Sequence, residues 1–96
     1  MHRALLERRI RDVHARLVRA REDLAVLDEQ LAVVMESADE ARVRSLVAET
    51  PLAAHEHSEA ARHADAMAKA RAALAGTVSD LEHRQDELLA DVASAT

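Results

Sequence analysis

The feature that most constrains the fold is an apolar seam with a strict heptad period over residues 6–34. The spacing between its members alternates between four and three residues, and the members are Leu6, Ile10, Val13, Leu17, Ala20, Leu24, Leu27, Leu31 and Val34. On an α-helix this spacing produces one stripe with a period of about 3.5 residues, which is typical of a coiled-coil seam. Such a stripe has to be covered by a second helix, from this chain or from another molecule.

The amino-acid composition predicts an all-α fold. The chain of 96 residues is 49% hydrophobic, yet it contains no Phe, Tyr or Trp and only one Gly and one Pro. Strand-rich folds and globular cores usually depend on aromatic and β-branched residues, and frequent turns depend on Gly and Pro. We therefore expect a single domain over residues 1–96 that consists of a few long helices.

A second long helix is predicted to provide the partner of the seam. Thr50 suits the N-cap position and Pro51 the first helical position, where the missing N–H of proline is not needed. The heptad phase continues across Gly76, and the predicted seam consists of Ala53, His57, Ala60, Ala64, Met67, Arg71, Leu74, Val78, Leu81, Gln85, Leu88 and Val92. The chain is thus predicted to form an antiparallel two-helix coiled-coil hairpin, with helices at about 3–36 and 51–93.

A capping-box pattern predicts a short helix between the two long ones. Ser37 and Glu40 have the spacing of an N-cap serine and an N3 glutamate, which together satisfy free N–H groups at a helix start. This pattern predicts a connector helix at about 38–49. The alternative is a first helix that continues through Ser37 with a bend.

The apolar stripe of the first helix becomes too wide for one partner in its second half. With Leu6 taken as heptad position d, the neighbouring positions b and c are apolar there and are occupied by Ala25, Val26, Ala32 and Val33. One helix–helix seam leaves such positions uncovered. Either the connector or a second copy could cover them, and we favour a homodimer in a four-helix arrangement. The predicted interface consists of Leu24, Val26, Leu27, Leu31, Val33, Val34, Val43, Leu46 and Val47.

The charges are distributed unevenly along the chain. Residues 1–22 contain seven arginines and three acidic residues, a net charge of +4, whereas residues 23–96 contain six basic and 15 acidic residues, a net charge of −9. An antiparallel hairpin places the basic stretch beside the acidic C-terminal stretch, which offsets the unfavourable helix dipoles and specifies the orientation. Because the acidic stretch neutralises the arginines and aromatic stacking groups are absent, binding to nucleic acid or to a membrane surface is not favoured.

The residues closest to a chemical site are His55, Glu59 and His63, at spacing i, i+4 and i+8. Imidazole and carboxylate groups can bind zinc or nickel. However, the two histidines are two helical turns apart, so one ion would need further ligands. The chain also has no cysteine and no nucleophile elbow, phosphate loop or dinucleotide fingerprint. We therefore expect no metal, no cofactor, no catalytic residue and no enzyme activity.

Two resemblances bear on the cellular role. The stretches 42–53 (RVRSLVAETPLA) and 62–67 (RHADAM) resemble a family of small, uncharacterised coiled-coil proteins from high-GC Gram-positive bacteria, which implies a helical bacterial protein but no activity. The hairpin topology also resembles the coiled-coil fingers of factors that enter RNA polymerase with an acidic tip. Here Glu36, Asp39, Glu40 and Glu49 would lie near the tip. The absence of cysteine and of an apolar signal segment predicts a cytoplasmic location.

These patterns together predict a non-enzymatic helical-hairpin module that binds itself and an unidentified protein partner. The alternative is a regulator that contacts nucleic acid or the transcription machinery through the basic N-terminal arm or the acidic tip.

Overall fold

The computed structural model describes residues 2–95, which form two long α-helices. Helix α1 is His2–Ala48 and helix α2 is Pro51–Ala95. Only Glu49 and Thr50 separate the helices, and no strand occurs in residues 2–95. The prediction of an all-α helical hairpin is confirmed. Neither helix contains, within the described residues, an apolar stretch of membrane-spanning length.

Glu49 ends helix α1 in a left-handed conformation. Its φ angle is 52°, and its N–H donates a hydrogen bond to the carbonyl oxygen of Ser45 at 3.1 Å. This is the αL form of a helix C-cap, in which glycine is the usual residue because a side chain there is sterically costly. The chain thus reverses direction immediately after Ala48.

Thr50 and Pro51 start helix α2 in the way that the sequence predicts. The Thr50 hydroxyl Oγ1 accepts a hydrogen bond from the N–H of Ala53 at 3.2 Å. This is the N-cap contact to the third residue of a helix. Pro51 is the first helical residue. Helix α2 also continues through Gly76 without interruption, as the unbroken heptad phase predicts.

The predicted connector helix at 38–49 is wrong, because helix α1 continues through Ser37 to Ala48. An N-cap residue lies outside the helical backbone conformation, whereas Ser37 lies within the helix. The heptad seam explains the continuation. Ala38 and Ser45 follow Val34 at seam positions and are half-buried, and Ala41 is buried with 3% exposure. The alternative of a first helix that continues through Ser37 is therefore the one observed.

The first of two compact units combines the part of α1 up to Leu24 with the part of α2 from Ala73 onward. Its core contains the predicted seam residues Leu6, Val13, Leu17, Ala20, Val78, Leu81 and Leu88. Leu17 and Leu88 are the most deeply buried, with exposures of 0% and 1%. Large aliphatic side chains thus come from both helices, and such burial is worth about 1.5–3 kcal/mol per side chain.

The second unit consists of residues 25–72 and has a much smaller core. Its buried side chains are those of Ala41 and Ala53, whereas the larger seam residues are only half-buried. These larger residues are Leu27, Leu31, Val34 and Met67. Because α2 contributes mostly alanine to this seam, the aliphatic side chains of α1 meet little partner surface.

Each unit has ionic or polar contacts that link its two helices. In the second unit Arg71 Nε lies 2.7 Å from Asp28 Oδ1, and this hydrogen bond and charge attraction raise the pKa of Arg71. In the first unit Arg21 pairs with Glu82 at 3.4 Å. The basic N-terminal stretch and the acidic C-terminal stretch therefore lie in the same unit, as the charge pattern predicts. Arg21–Glu82 is the ion pair that the structure describes between these two stretches.

Replacing Thr50 by alanine is expected to destabilise the protein by about 1 kcal/mol, because the N-cap acceptor for the Ala53 N–H is lost. The matched control is Thr77→Ala. Thr77 lies inside α2, and its hydroxyl donates to the carbonyl of Ala73 at 3.3 Å, a contact that contributes little to a helix interior. Urea unfolding followed by circular dichroism measures both variants. Equal destabilisation of the two would contradict the capping role.

Replacing Gly76 by alanine is expected to stabilise the protein by about 0.5–1 kcal/mol, because glycine loses more backbone freedom on folding. A Cβ at Gly76 meets no other atom within 4 Å, so no steric cost opposes this gain. The reverse change at an exposed alanine of the same helix, Ala72→Gly, should cost about 1 kcal/mol. A lower unfolding midpoint for Gly76→Ala would contradict the expectation.

Candidate interaction surface

The predicted interface residues fall into two groups. Those on the heptad seam lie half-buried between α1 and α2 and are Leu24, Leu27, Leu31 and Val34. The others are exposed, with exposures of 53% for Val26, 64% for Val33, 47% for Val43, 65% for Leu46 and 79% for Val47. The first group therefore contributes to the hairpin itself, and the second group is free to contact another molecule.

Residues 38–49 do not cover the widened apolar stripe. Because this segment continues α1, its own aliphatic residues Val43, Leu46 and Val47 are exposed instead of packing on Val26 and Val33. Residues 25–72 consequently expose more aliphatic surface than they would if residues 38–49 formed a separate connector helix that packed back on α1. Exposed apolar clusters on small proteins commonly mark interaction sites.

One groove in the second unit, which we call the valine groove, is mainly apolar. It is lined by Glu29, Gln30, Val33, Val34 and Met67, and its volume is about 570 Å³. Val26 precedes Val33 by seven residues and so lies on the same side of α1. Side chains of both helices thus line this groove, and its polar lining residues, Glu29 and Gln30, belong to α1.

A second groove, which we call the histidine groove, has more ionisable side chains in its lining. Its volume is about 430 Å³, and its lining consists of Met35, Ala38, Asp39, Arg42, His57, Ala61, Ala64 and Asp65. Arg42 pairs with Asp39 at 3.0 Å. His57 lies half-buried on the seam, and its Nδ1 atom is buried without a hydrogen-bond partner among the described residues.

The two grooves lie on different sides of helix α1. Val33 and Gln30 line the valine groove, whereas Met35 and Asp39 line the histidine groove. On an α-helix residues 33 and 35 are separated by about 200° around the axis. A substitution on one side can therefore be compared with a matched substitution on the other.

The metal candidates His55, Glu59 and His63 do not form a site. All three side chains are exposed, and the Glu59 carboxylate pairs with Arg62 at 2.7 Å. The two histidines are eight residues apart on one helix, or about 12 Å along its axis. No group of three potential ligands that could hold a metal ion occurs within residues 2–95.

The basic arm and the acidic tip have different surroundings. Among the described side chains, the arginines without an ion pair in the first unit are Arg8, Arg9, Arg11, Arg16 and Arg19. At the tip, Glu49 lies between exposed aliphatic residues, Val47 before it and Leu52 after it, the latter 67% exposed. The turn therefore presents apolar surface beside the Glu49 carboxylate, whereas Glu36, Asp39 and Glu40, which were expected near the tip, lie within α1, at least nine residues before Glu49.

The predicted interface omitted three residues of this surface, although Met67 was predicted to lie on the seam of α2. Met35 is 57% exposed and lines the histidine groove, Leu52 is exposed beside the turn, and Met67 lines the valine groove. Leu52 directly precedes the seam residue Ala53 and so lies off the seam, and this spacing is a signal in the sequence that its side chain is exposed. The place of either methionine depends on the alignment between the helices, which spacing within one helix does not determine.

Comparison of the chain with protein-family models, with curated proteins and with solved structures yields no match. The resemblance to the small coiled-coil family stays a prediction.

Titration with Zn²⁺ is expected to produce no heat above that of dilution and no change in the thermal midpoint. The reason is that His55 and His63 are too far apart to bind one ion and Glu59 already pairs with Arg62. Isothermal calorimetry near neutral pH measures this. Stoichiometric heat that disappears in His55→Ala would contradict the expectation and identify a metal site.

Proposed function

We propose that the protein is a self-associating helical-hairpin module that acts by binding proteins and not by catalysis. The observation that carries this proposal is the exposed aliphatic surface of residues 25–72, which residues 38–49 leave uncovered. Each groove in this unit includes apolar side chains from both helices, and such surfaces suit contact with another helix. The hairpin is then one half of a four-helix arrangement of coiled-coil type.

A cytoplasmic location in a bacterium is part of the proposal. It is supported by the absence of cysteine from the sequence, which is typical of proteins that need no disulfides, and by the resemblance of residues 42–53 and 62–67 to the bacterial family described above.

A second candidate function is binding of nucleic acid through the N-terminal arm. The observation in its favour is the group of five arginines that have no ion pair in the described part of the first unit. Unpaired arginines attract phosphates through charge, and such binding weakens steeply with added salt. The lack of aromatic side chains removes the stacking contacts that single strands use, so protein binding is the preferred function.

Light scattering of the purified chain at micromolar concentration is expected to give twice the chain mass of 10.5 kDa. The physical reason is burial of the exposed aliphatic residues of the second unit. Dilution should shift the mass toward one chain, since association is governed by mass action. A mass near one chain across the accessible concentration range would contradict self-association.

The second candidate function is tested by mobility shift with a labelled DNA duplex and a labelled RNA at low and moderate salt. We expect no shift at moderate salt. A shift that weakens with salt and is reduced in Arg16→Glu with Arg19→Glu would support the nucleic-acid function. The matched control is Arg62→Glu, which changes the same charge type in the second unit.

A further inference from the structure

We propose that the hairpin opens at Glu49 and that two chains exchange their second helices, so that α1 of each chain packs on α2 of the other. This inference rests on the proposed self-association and specifies how it occurs. Each compact unit combines one stretch of α1 with one stretch of α2. In the exchanged dimer each unit forms again, and its two stretches come from different chains.

The turn between the helices is strained at one residue. Glu49 has a φ angle of 52°, in the left-handed region that is unfavourable for a residue with a Cβ. Only Glu49 and Thr50 separate the helices, so there is little chain over which the strain can be distributed. Opening the turn lets Glu49 adopt an ordinary extended conformation. Short hinges under strain favour exchange of an element between two copies.

The helix ends beside the hinge stay intact when it opens. The Thr50 hydroxyl accepts the N–H of Ala53 at 3.2 Å, and both residues move together with α2. The bond from the Glu49 N–H to the carbonyl oxygen of Ser45 is unaffected by rotation about φ of Glu49. Pro51 restricts Thr50 to extended backbone and prevents one continuous helix. The change of direction is therefore confined to Glu49.

The exchanged dimer keeps the seam contacts of the hairpin. The burial of Leu17 and Leu88 and the pairing of Arg71 with Asp28 form again between chains. What opposes exchange is the effective concentration of a helix tethered to its partner, on the order of millimolar. Relief of the strain at Glu49, worth about a factor of five at each of two hinges, brings the dissociation constant to roughly tens of micromolar.

The most exposed large aliphatic side chains described in residues 2–95 flank the hinge. Val47 is 79% exposed, Leu52 67% and Leu46 65%. In the exchanged dimer α1 of one chain ends beside the start of α2 of the other, so the two hinges meet and these side chains can pack on those of the other chain. Their burial favours the dimer further. The strain and the exposed side chains thus both point to a second copy at the turn.

The first test compares Glu49→Gly with Glu49→Ala by sedimentation equilibrium, after refolding from urea at each concentration. Glycine adopts a positive φ without steric cost, so Glu49→Gly is expected to raise the dissociation constant of the dimer about 25-fold, a factor of five per hinge. Glu49→Ala removes the carboxylate but keeps a Cβ, so it should change the constant less than about fivefold. An unchanged constant in Glu49→Gly would overturn the role of the hinge.

The second test cross-links α1 to α2 through cysteine, which the natural chain lacks. Gln85 Nε2 and His14 Nδ1 lie 3.3 Å apart on the two helices, so a short bismaleimide should join the cysteines of a His14→Cys, Gln85→Cys double variant. In its dimer fraction the link is expected to connect two chains and to give twice the chain mass on a denaturing gel. The control His14→Cys should stay a single chain.

The outcomes separate this inference from the proposed function. A wild-type chain that is monomeric at every concentration after refolding overturns self-association and helix exchange together. A dimer whose double variant is linked only within single chains leaves self-association intact and overturns helix exchange. Links between chains, together with weaker dimerisation of Glu49→Gly, support the exchange. Circular dichroism of each variant verifies that the helices are intact before these comparisons are made.

Discussion

The packing of α1 against α2 along the heptad seam is the interaction on which the rest of the structure depends. In the first unit leucines and valines come from both helices, and Leu17 and Leu88 lose nearly all of their exposure. In the second unit α2 contributes mostly alanine, so the leucines of α1 stay half-buried. Apolar burial scales with the area that both partners provide. The difference in side-chain size along α2 thus produces a covered core in one unit and an uncovered surface in the other.

The helices and their seam were predictable because both depend on spacing within one helix. Alternating steps of three and four residues indicate a buried stripe whatever the partner, and Thr50–Pro51 has a local reason to start a helix. The connector was mispredicted for a related reason. Ser37 has the local chemistry of a cap, whereas the continuing seam of Ala38 and Ala41 consists of residues too small to stand out in a hydrophobic pattern.

The candidate surface was only partly predictable. Val26 and Val33 stand out because the b and c positions of a heptad face away from the seam. The division into two grooves did not follow from the sequence, because it depends on how α1 and α2 align. In the second unit that alignment includes the contact between Arg71 and Asp28. Arg71 and Asp28 lie on different helices and far apart in the chain. No spacing rule within one helix therefore predicts their contact.

The small core of the second unit has a consequence for motion. A unit whose buried side chains are those of Ala41 and Ala53 has little apolar area to oppose local opening, and the free energy of such opening sets the rate of amide hydrogen exchange. Backbone amides of residues 25–72 should therefore exchange faster than those near Leu17 and Leu88. Binding that covers the unit would slow this exchange, so a partner would order the segment as well as occupy it.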